Sequence, residues 1–478
     1  MKTNFKFGLT YFAMVGLFAT SLWAVFWKAA EAGHLGGASP APAFSAISLH
    51  GPLSQLLLQV VVIVTIARLA GILMRRLGQP PVIGEMFAGL ALGPSLLGWI
   101  LPSVSAFVFP TAGAGMNALQ MLSQVGVLLF MFVVGMELDL DAVRKKARSA
   151  VLISHTSILL PFALGCCAAL FLYRDYMGAH ASFIPFALFI GISMSITAFP
   201  VLARIIQERG LVGSPLGNTA LTCAAVDDVT AWTGLAIIVA LARSQGVGSG
   251  FLTLLLVAVF VALMIAVIRP GLSRVVARLD NPGEPGPSVA VLVLTTVFVS
   301  ALFTEAVGIH ALFGAFFAGA MMPAHKGFRF FLKTRLEYFS SLFLLPIFFA
   351  YTGLRTQIGL LSGAHDYTVC LALLAIAVVG KFGGSMLAGR VTGMSWKEAV
   401  GIGALMNTRG LIELIALNLG LDLGVLSPKI FAMLVLMAVI TTAMTGPALS
   451  LLSVGHSPSA GPQVGEESED ALASLVSS

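Results

Sequence analysis

Apolar segments of about twenty residues, the length of helix that crosses a bilayer, recur along almost the whole chain and leave few folds open to it. Fourteen are expected: 7–28, 53–74, 82–100, 118–137, 150–172, 183–206, 216–242, 248–268, 288–306, 309–323, 338–354, 367–389, 398–419 and 430–453. Of the 478 residues, 58% are hydrophobic and 10% charged, where a soluble domain carries about 25% charged residues. Such a chain cannot cover itself with polar surface in water, so its solvent is lipid. The fold class is therefore an all-α polytopic membrane protein.

Lysine and arginine orient the spans, because cytoplasmic loops collect them. Nineteen fall in loops on one side, among them Arg75, Arg76, Arg144, Lys145, Arg204, Arg329 and Lys333. The opposite loops hold Arg174, Arg243, Arg355 and Lys429, with Lys28 at the outer edge of the first span. This places both termini in the cytoplasm and splits 288–323 into two crossings around Gly308. The formal charge of +6 follows from topology and gives no reason to expect a nucleic-acid partner. Residues 1–34, with Lys2, Lys6 and Ala30-Glu31-Ala32, read as a retained helix or a signal peptide, which leaves thirteen or fourteen spans. Residues 53–453 form the transmembrane domain, and the acidic, Ser/Gly/Pro-rich tail 454–478 reads as disordered. Cys166, Cys167, Cys223 and Cys370 show neither metal-ligand nor disulfide spacing and are small apolar-segment residues.

An ionisable group at mid-membrane costs roughly 2.5–3.5 kcal/mol on insertion scales and is a functional candidate by default. Asp227 and Asp228 lie adjacent in the middle of 216–242. Two neighbouring carboxylates repel if both are ionised, so at least one needs a proton, a cation or a basic partner. On a helix they point about 100° apart and take different partners. Lys381, too deep in 367–389 to reach the interface, is the natural counter-charge. Arg409 and Glu413 stand four residues apart, the spacing of an internal helix salt bridge. Glu85 and Glu305 suit either pore lining or satisfied helix contacts. His155 and His310 are expected in hydrogen-bonded packing roles.

Two spans carry helix breakers in matching places. Pro200 sits in mid-segment in 183–206, where it removes a backbone donor and frees the carbonyl near Ile196. The polar run Asn407-Thr408-Arg409-Gly410 interrupts 398–419. Interrupted spans at corresponding positions of two halves mark a transporter's binding site. The trios 150–172, 183–206, 216–242 and 367–389, 398–419, 430–453 each have a broken middle member and begin on opposite sides, which is an inverted repeat. Half-helix ends of opposite dipole would meet at the crossing and call for charged side chains there.

Pro200-Val-Leu-Ala-Arg-Ile, Ala224-Ala-Val-Asp-Asp-Val-Thr-Ala-Trp232, Leu345-Pro-Ile-Phe-Phe-Ala-Tyr-Thr-Gly353 and Met406-Asn-Thr-Arg-Gly-Leu-Ile-Glu-Leu-Ile415 closely resemble motifs of the cation:proton antiporter-2 family, from about 53 to 453. The resemblance implies a homodimer with a dimerisation domain beside a mobile core of two crossed, discontinuous helices, moving as an elevator. It implies Asp228 as the carboxylate binding ion and proton, Asp227 as partner of Lys381, and Thr197 with nearby backbone completing the site. Pro200, Asn407, Thr408, Arg409 and Glu413 would support the broken helices. The branch with a C-terminal nucleotide-binding domain is not matched here. The double acid with lysine resembles electrogenic sodium/proton exchangers, while Asn407-Thr-Arg-Gly-Leu-Ile-Glu-Leu also resembles potassium/proton exchangers, so sodium and potassium both stay open.

The expected function is exchange of Na+ or K+ for H+ in a bacterial inner membrane, with no cofactor, the two ions competing for Asp228. A potassium efflux system or a channel is the alternative. An intramembrane aspartyl protease needs two acids on different helices sharing one proton, which an adjacent pair does not offer.

Overall fold

The computed structural model describes residues 51–452 except 78, 111–113, 138–147, 180, 244–246, 280–284, 309 and 324. The expected first segment and the tail from 454 lie outside the described residues. Every other expected segment is helical. In chain order these are α1 (Pro52–Arg76), α2 (Pro81–Leu92), α3 (Ala114–Glu137), α4 (Arg148–Tyr176), α5a and α5b (Phe183–Ser195, Phe199–Glu208) and α6 (Pro215–Arg243). Then come α7 (Val247–Leu263, extended through Met264–Ile268 to Arg269–Ala277), α8 (Pro287–Val307) and α9 (Ala311–Ala320). The last four are α10 (Lys326–Phe339, Ser340–Leu344, Leu345–Arg355), α11 (Ala364–Val378, Val379–Gly383, Gly384–Val391), α12a and α12b (Trp396–Met406, Leu411–Asp422) and α13 (Pro428–Leu451).

Among the described residues, ten helical stretches are long and apolar enough to cross a bilayer singly, α2 being counted on to Ile100. The two broken spans and the short α9 complete the thirteen expected between 53 and 453. The split of 288–323 is present: α8 ends at Gly308, whose φ of 91° is a left-handed cap open to glycine, and α9 folds back against α8. At Gly314 of α9 an added Cβ would lie 2.1 Å from the Ser300 carbonyl oxygen, so a side chain there would force the two helices apart.

The helices pack as two bundles within one unit. α1, α2, α3, α9 and α10 form one, with α8 packed along α9; α4, α5, α6, α11, α12 and α13 form the other, and α7 packs against α8 and α6. Glycines bring backbones together inside the first bundle, where a Cβ on Gly353 would stand 2.0 Å from the carbonyl of Gly89. Without a hydrophobic drive between helices in lipid, small residues at contacts supply the packing.

In the second bundle the expected repeat is visible in element order. α4, broken α5, α6 matches α11, broken α12, α13. Hydrogen bonds at the two faces fix the directions. Gly178 N–H, just before α5a, donates to Val425 O just after α12b (2.9 Å). Arg209, at the end of α5b, donates to Gly446 O and Ser450 Oγ near the end of α13 (3.0 and 2.7 Å). The start of α5 therefore shares a face with the end of α12, so the two broken spans run antiparallel.

Candidate ion site at the helix crossing

The two breaks meet. Ile196 and Ala198 are extended, and Ala198 N–H donates to Thr408 O at 3.1 Å, one break bonding the other. Thr197 Oγ1 also reaches Met406 O at 3.4 Å. Pro200 stands differently from its expected place. The chain has already left the helix at Ser195, and Pro200 is in the first turn of α5b, where a missing N–H removes nothing and the fixed φ starts the helix. Freed backbone groups deep in a membrane need protein partners. For the second break these are threonines of α13. Thr442 Oγ1 donates to Arg409 O (2.8 Å) and accepts from Arg409 N–H (3.1 Å). Thr445 Oγ1 donates to Ala404 O at 3.3 Å.

Two buried cations hold the C-terminal end of α5a, the negative end of its dipole. Lys381 Nζ donates to Ser195 O and, at 3.1 Å, to Ser157 O. The Arg409 guanidinium donates to Ser193 O (2.5 Å) and Met194 O (2.7 Å) and pairs with Glu413 at 3.3 Å. Arg409, Glu413 and Lys381 are all fully buried. The expected Arg409–Glu413 bridge is present, and the arginine also ties α12 to α5a. Lys381 projects from Val379–Gly383, a π-helical turn within α11; such turns recur where a helix re-aims a functional side chain.

Asp227 sits at the centre of this arrangement. Its Oδ2 lies 3.5 Å from Lys381 Nζ and accepts from Ser157 Oγ (2.8 Å) and Thr197 Oγ1 (2.7 Å), while Oδ1 accepts from Ser154 Oγ (2.6 Å). The expected Asp227–Lys381 pair is therefore present, and Thr197 serves that acid. Ser154 and Ser157 were not singled out in the sequence; their signal is the i,i+3 spacing that puts both on one face of α4. Asp228 is buried one position further along α6, on a bearing about 100° away. Asn407 and Thr408 are buried in the second break, with Thr408 Oγ1 3.3 Å from Thr445 Oγ1.

A cavity of about 400 Å³ runs between the bundles from Arg204, Gln207, Lys333 and Glu337 to Val201 and Leu411, in the first turns of α5b and α12b. Glu85 is half-buried on α2. Glu305 is a satisfied helix-end contact, accepting from Ala311 N–H (2.8 Å) and facing Arg243 at 3.9 Å. His155 bonds the Val151 carbonyl of its own helix (2.8 Å), and His310 caps α9.

Antiparallel broken spans, crossing at a buried network of acids and cations with a water-sized approach from one face, define a secondary transporter of the inverted-repeat class. The chain belongs to the sodium/hydrogen exchanger family, whose transmembrane region it matches over residues 61–455. It is 44% identical over 393 residues to the Na(+)/H(+) antiporter NhaS4 of Synechocystis sp., covering 82% of this chain and 95% of that protein. It is 39% identical to Cation/H(+) antiporter 17 of Arabidopsis thaliana and 33% identical to K(+)/H(+) antiporter 1 of Saccharomyces cerevisiae. Each alignment covers 84% of this chain but only 48% and 46% of those longer proteins. The fold is similar to that of the sodium proton antiporter MjNhaP1 of Methanocaldococcus jannaschii, with a TM-score of 0.61 at 14% identity over 85% of this chain and all of that one.

Proposed function

We propose that the protein is a monovalent cation/proton antiporter exchanging Na+ or K+ for H+ across a bacterial plasma membrane. The observation that carries this is the crossing of two broken helices beside two adjacent buried acids, one of them paired with a buried lysine. Asp227 is saturated by three hydroxyl donors and Lys381, so it is a fixed internal counter-charge with little left for a transported ion. Asp228, buried on the same helix at the crossing, is the carboxylate that takes either a cation or a proton. Because one carboxylate cannot hold both, each ligand displaces the other. If only the occupied site crosses the apolar barrier, loading from the two faces in turn gives coupled exchange.

The two bundles suit an elevator-like motion, with α1–α3, α9 and α10 as the scaffold and dimer-forming part and the α4–α6, α11–α13 bundle carrying the site. The Lys333 face, to which the basic loops belong, is taken as cytoplasmic. Exchange is electrogenic in this scheme if Lys381 loses a proton when it parts from Asp227.

The test is reconstituted flux. In proteoliposomes, imposed Na+ and K+ gradients should drive proton movement, and Asp228→Asn should reduce it at least about hundredfold, to the level of empty vesicles. Undiminished exchange by Asp228→Asn would refute the assignment. An imposed voltage that leaves the rate unchanged would exclude electrogenic exchange.

A further inference from the structure

The seam between the bundles is open at one face and shut at the other. Against the 400 Å³ cavity on the Lys333 side, the cavity lined by Arg355, Asn418 and Asp422 at the opposite end measures about 40 Å³. What closes it is polar. Arg355, the last residue of α10, places Nη2 2.6 Å from Asp422 Oδ1 and donates through Nη1 to Asn418 Oδ1 at 3.1 Å. Asn418 Nδ2 donates in turn to Thr352 Oγ1, again on α10, at 2.8 Å. Asn418 and Asp422 are four residues apart on α12b, so they present one face to a single guanidinium.

Both sides of this contact are anchored. Ser95 Oγ donates to Thr356 O (2.7 Å) and accepts from Ile358 N–H (3.0 Å), fixing the end of α10 to the α2 side of the scaffold. On the other side, α12b starts at the crossing itself, so Asp422 reports the position of the half-helix beside the site. Asp422 is 37% and Arg355 21% exposed. A pair in contact with water is weakly held compared with a sealed one, as a contact must be if it is made and broken in every cycle.

We propose that Arg355, Asn418 and Asp422 form a latch that shuts this mouth of the translocation path, so that its release admits ions from the Arg355 face. The inference rests on the antiporter reading, which places the path between the bundles. It can be followed without transport, by the access of water-soluble reagents to the closed mouth. Ser123 of α3 is buried and lines the small cavity, so Ser123→Cys is the reporter, in a chain whose four native cysteines are changed to serine. A membrane-impermeant maleimide is added on the Arg355 side of oriented vesicles.

Asp422→Asn and Arg355→Gln should each speed labelling about three- to tenfold, and the charge-exchanged double variant R355D/D422R should return towards the parent rate. In the parent, choline chloride should speed labelling by screening the pair, and Asp422→Asn should lose that response. Unchanged labelling in both single variants overturns the latch. If they do not fold, a parent rate indifferent to choline chloride overturns it. Asp228→Asn flux in the same vesicles separates the two claims: abolished exchange with unchanged labelling sinks only the latch, and retained exchange with faster labelling sinks only the carrier assignment.

Discussion

Arg409 is the side chain with most to lose from substitution. Buried among Ser193 O, Met194 O and Glu413, it satisfies two carbonyls at the end of α5a and a carboxylate that has no exposure to water. Removing one member of a buried charge pair costs about 3–5 kcal/mol, because the other is left uncompensated. Arg409→Met is therefore expected to destabilise the protein by about that much, read as a large fall in melting temperature in detergent. Adding Glu413→Gln should recover part of the loss; no recovery would mean that the carbonyl contacts, and not the ion pair, carry the cost. At this scale the sequence was most informative where a residue type is expensive in lipid. Asp227, Asp228, Lys381, Arg409 and Glu413 stand out on that ground, and at the crossing Lys381 pairs with Asp227 and Arg409 with Glu413. Ser154 and Ser157 carry no such signal, because a serine can satisfy its hydroxyl on its own helix, as Ser193 does on Phe189 O at 2.6 Å, so its presence in an apolar segment costs little. Only the fold shows that these two turn instead to Asp227.

Among the elements, apolar length located the spans and breakers located the crossing, but where each helix stops depends on contacts that no local pattern encodes. Pro200 marks the first break yet belongs to the start of α5b, since the chain leaves the helix earlier to bond Thr408 across the break. The π-helical turns at Met264–Ile268, Ser340–Leu344 and Val379–Gly383 were equally invisible, being one-residue adjustments of register inside otherwise ordinary apolar runs. Helix α10 also begins well before its expected start at 338, because its first turns are amphipathic and only its later part reads as a span. The contact of α2 with α10 yields a prediction of its own. A Cβ at Gly353 would meet backbone atoms of Gly89 at 2.0 Å, and backbone cannot rotate aside as a side chain can. Gly353→Ala should thus cost about 1–3 kcal/mol through forced separation of the helices. Gly359→Ala, with open space around it, should stay within about 0.5 kcal/mol. Equal melting temperatures for the two variants would show that the helices part at no cost.

For the whole molecule the proposal turns on cation and proton using one site. On the proposed assignment the two ions compete for Asp228, and one shared carboxylate enforces a quantitative relation between them. When protons compete for the carboxylate on the loading face, the apparent KM for the cation rises in proportion to proton activity. Each unit of acidification should then raise KM about tenfold on the acid limb, with the maximal rate unchanged, since saturating cation still displaces the proton. On the alkaline limb KM should level off, while the maximal rate falls as the return step lacks a proton to carry. The resulting flux is bell-shaped in pH, and its acid edge moves to lower pH as cation concentration is raised. Initial rates in proteoliposomes, with cation varied on one face and pH varied equally on both, measure this directly. A KM independent of pH, with only the maximal rate titrating, would require separate sites for proton and cation. Flux rising linearly with cation concentration, without saturation, would replace the carrier by a channel.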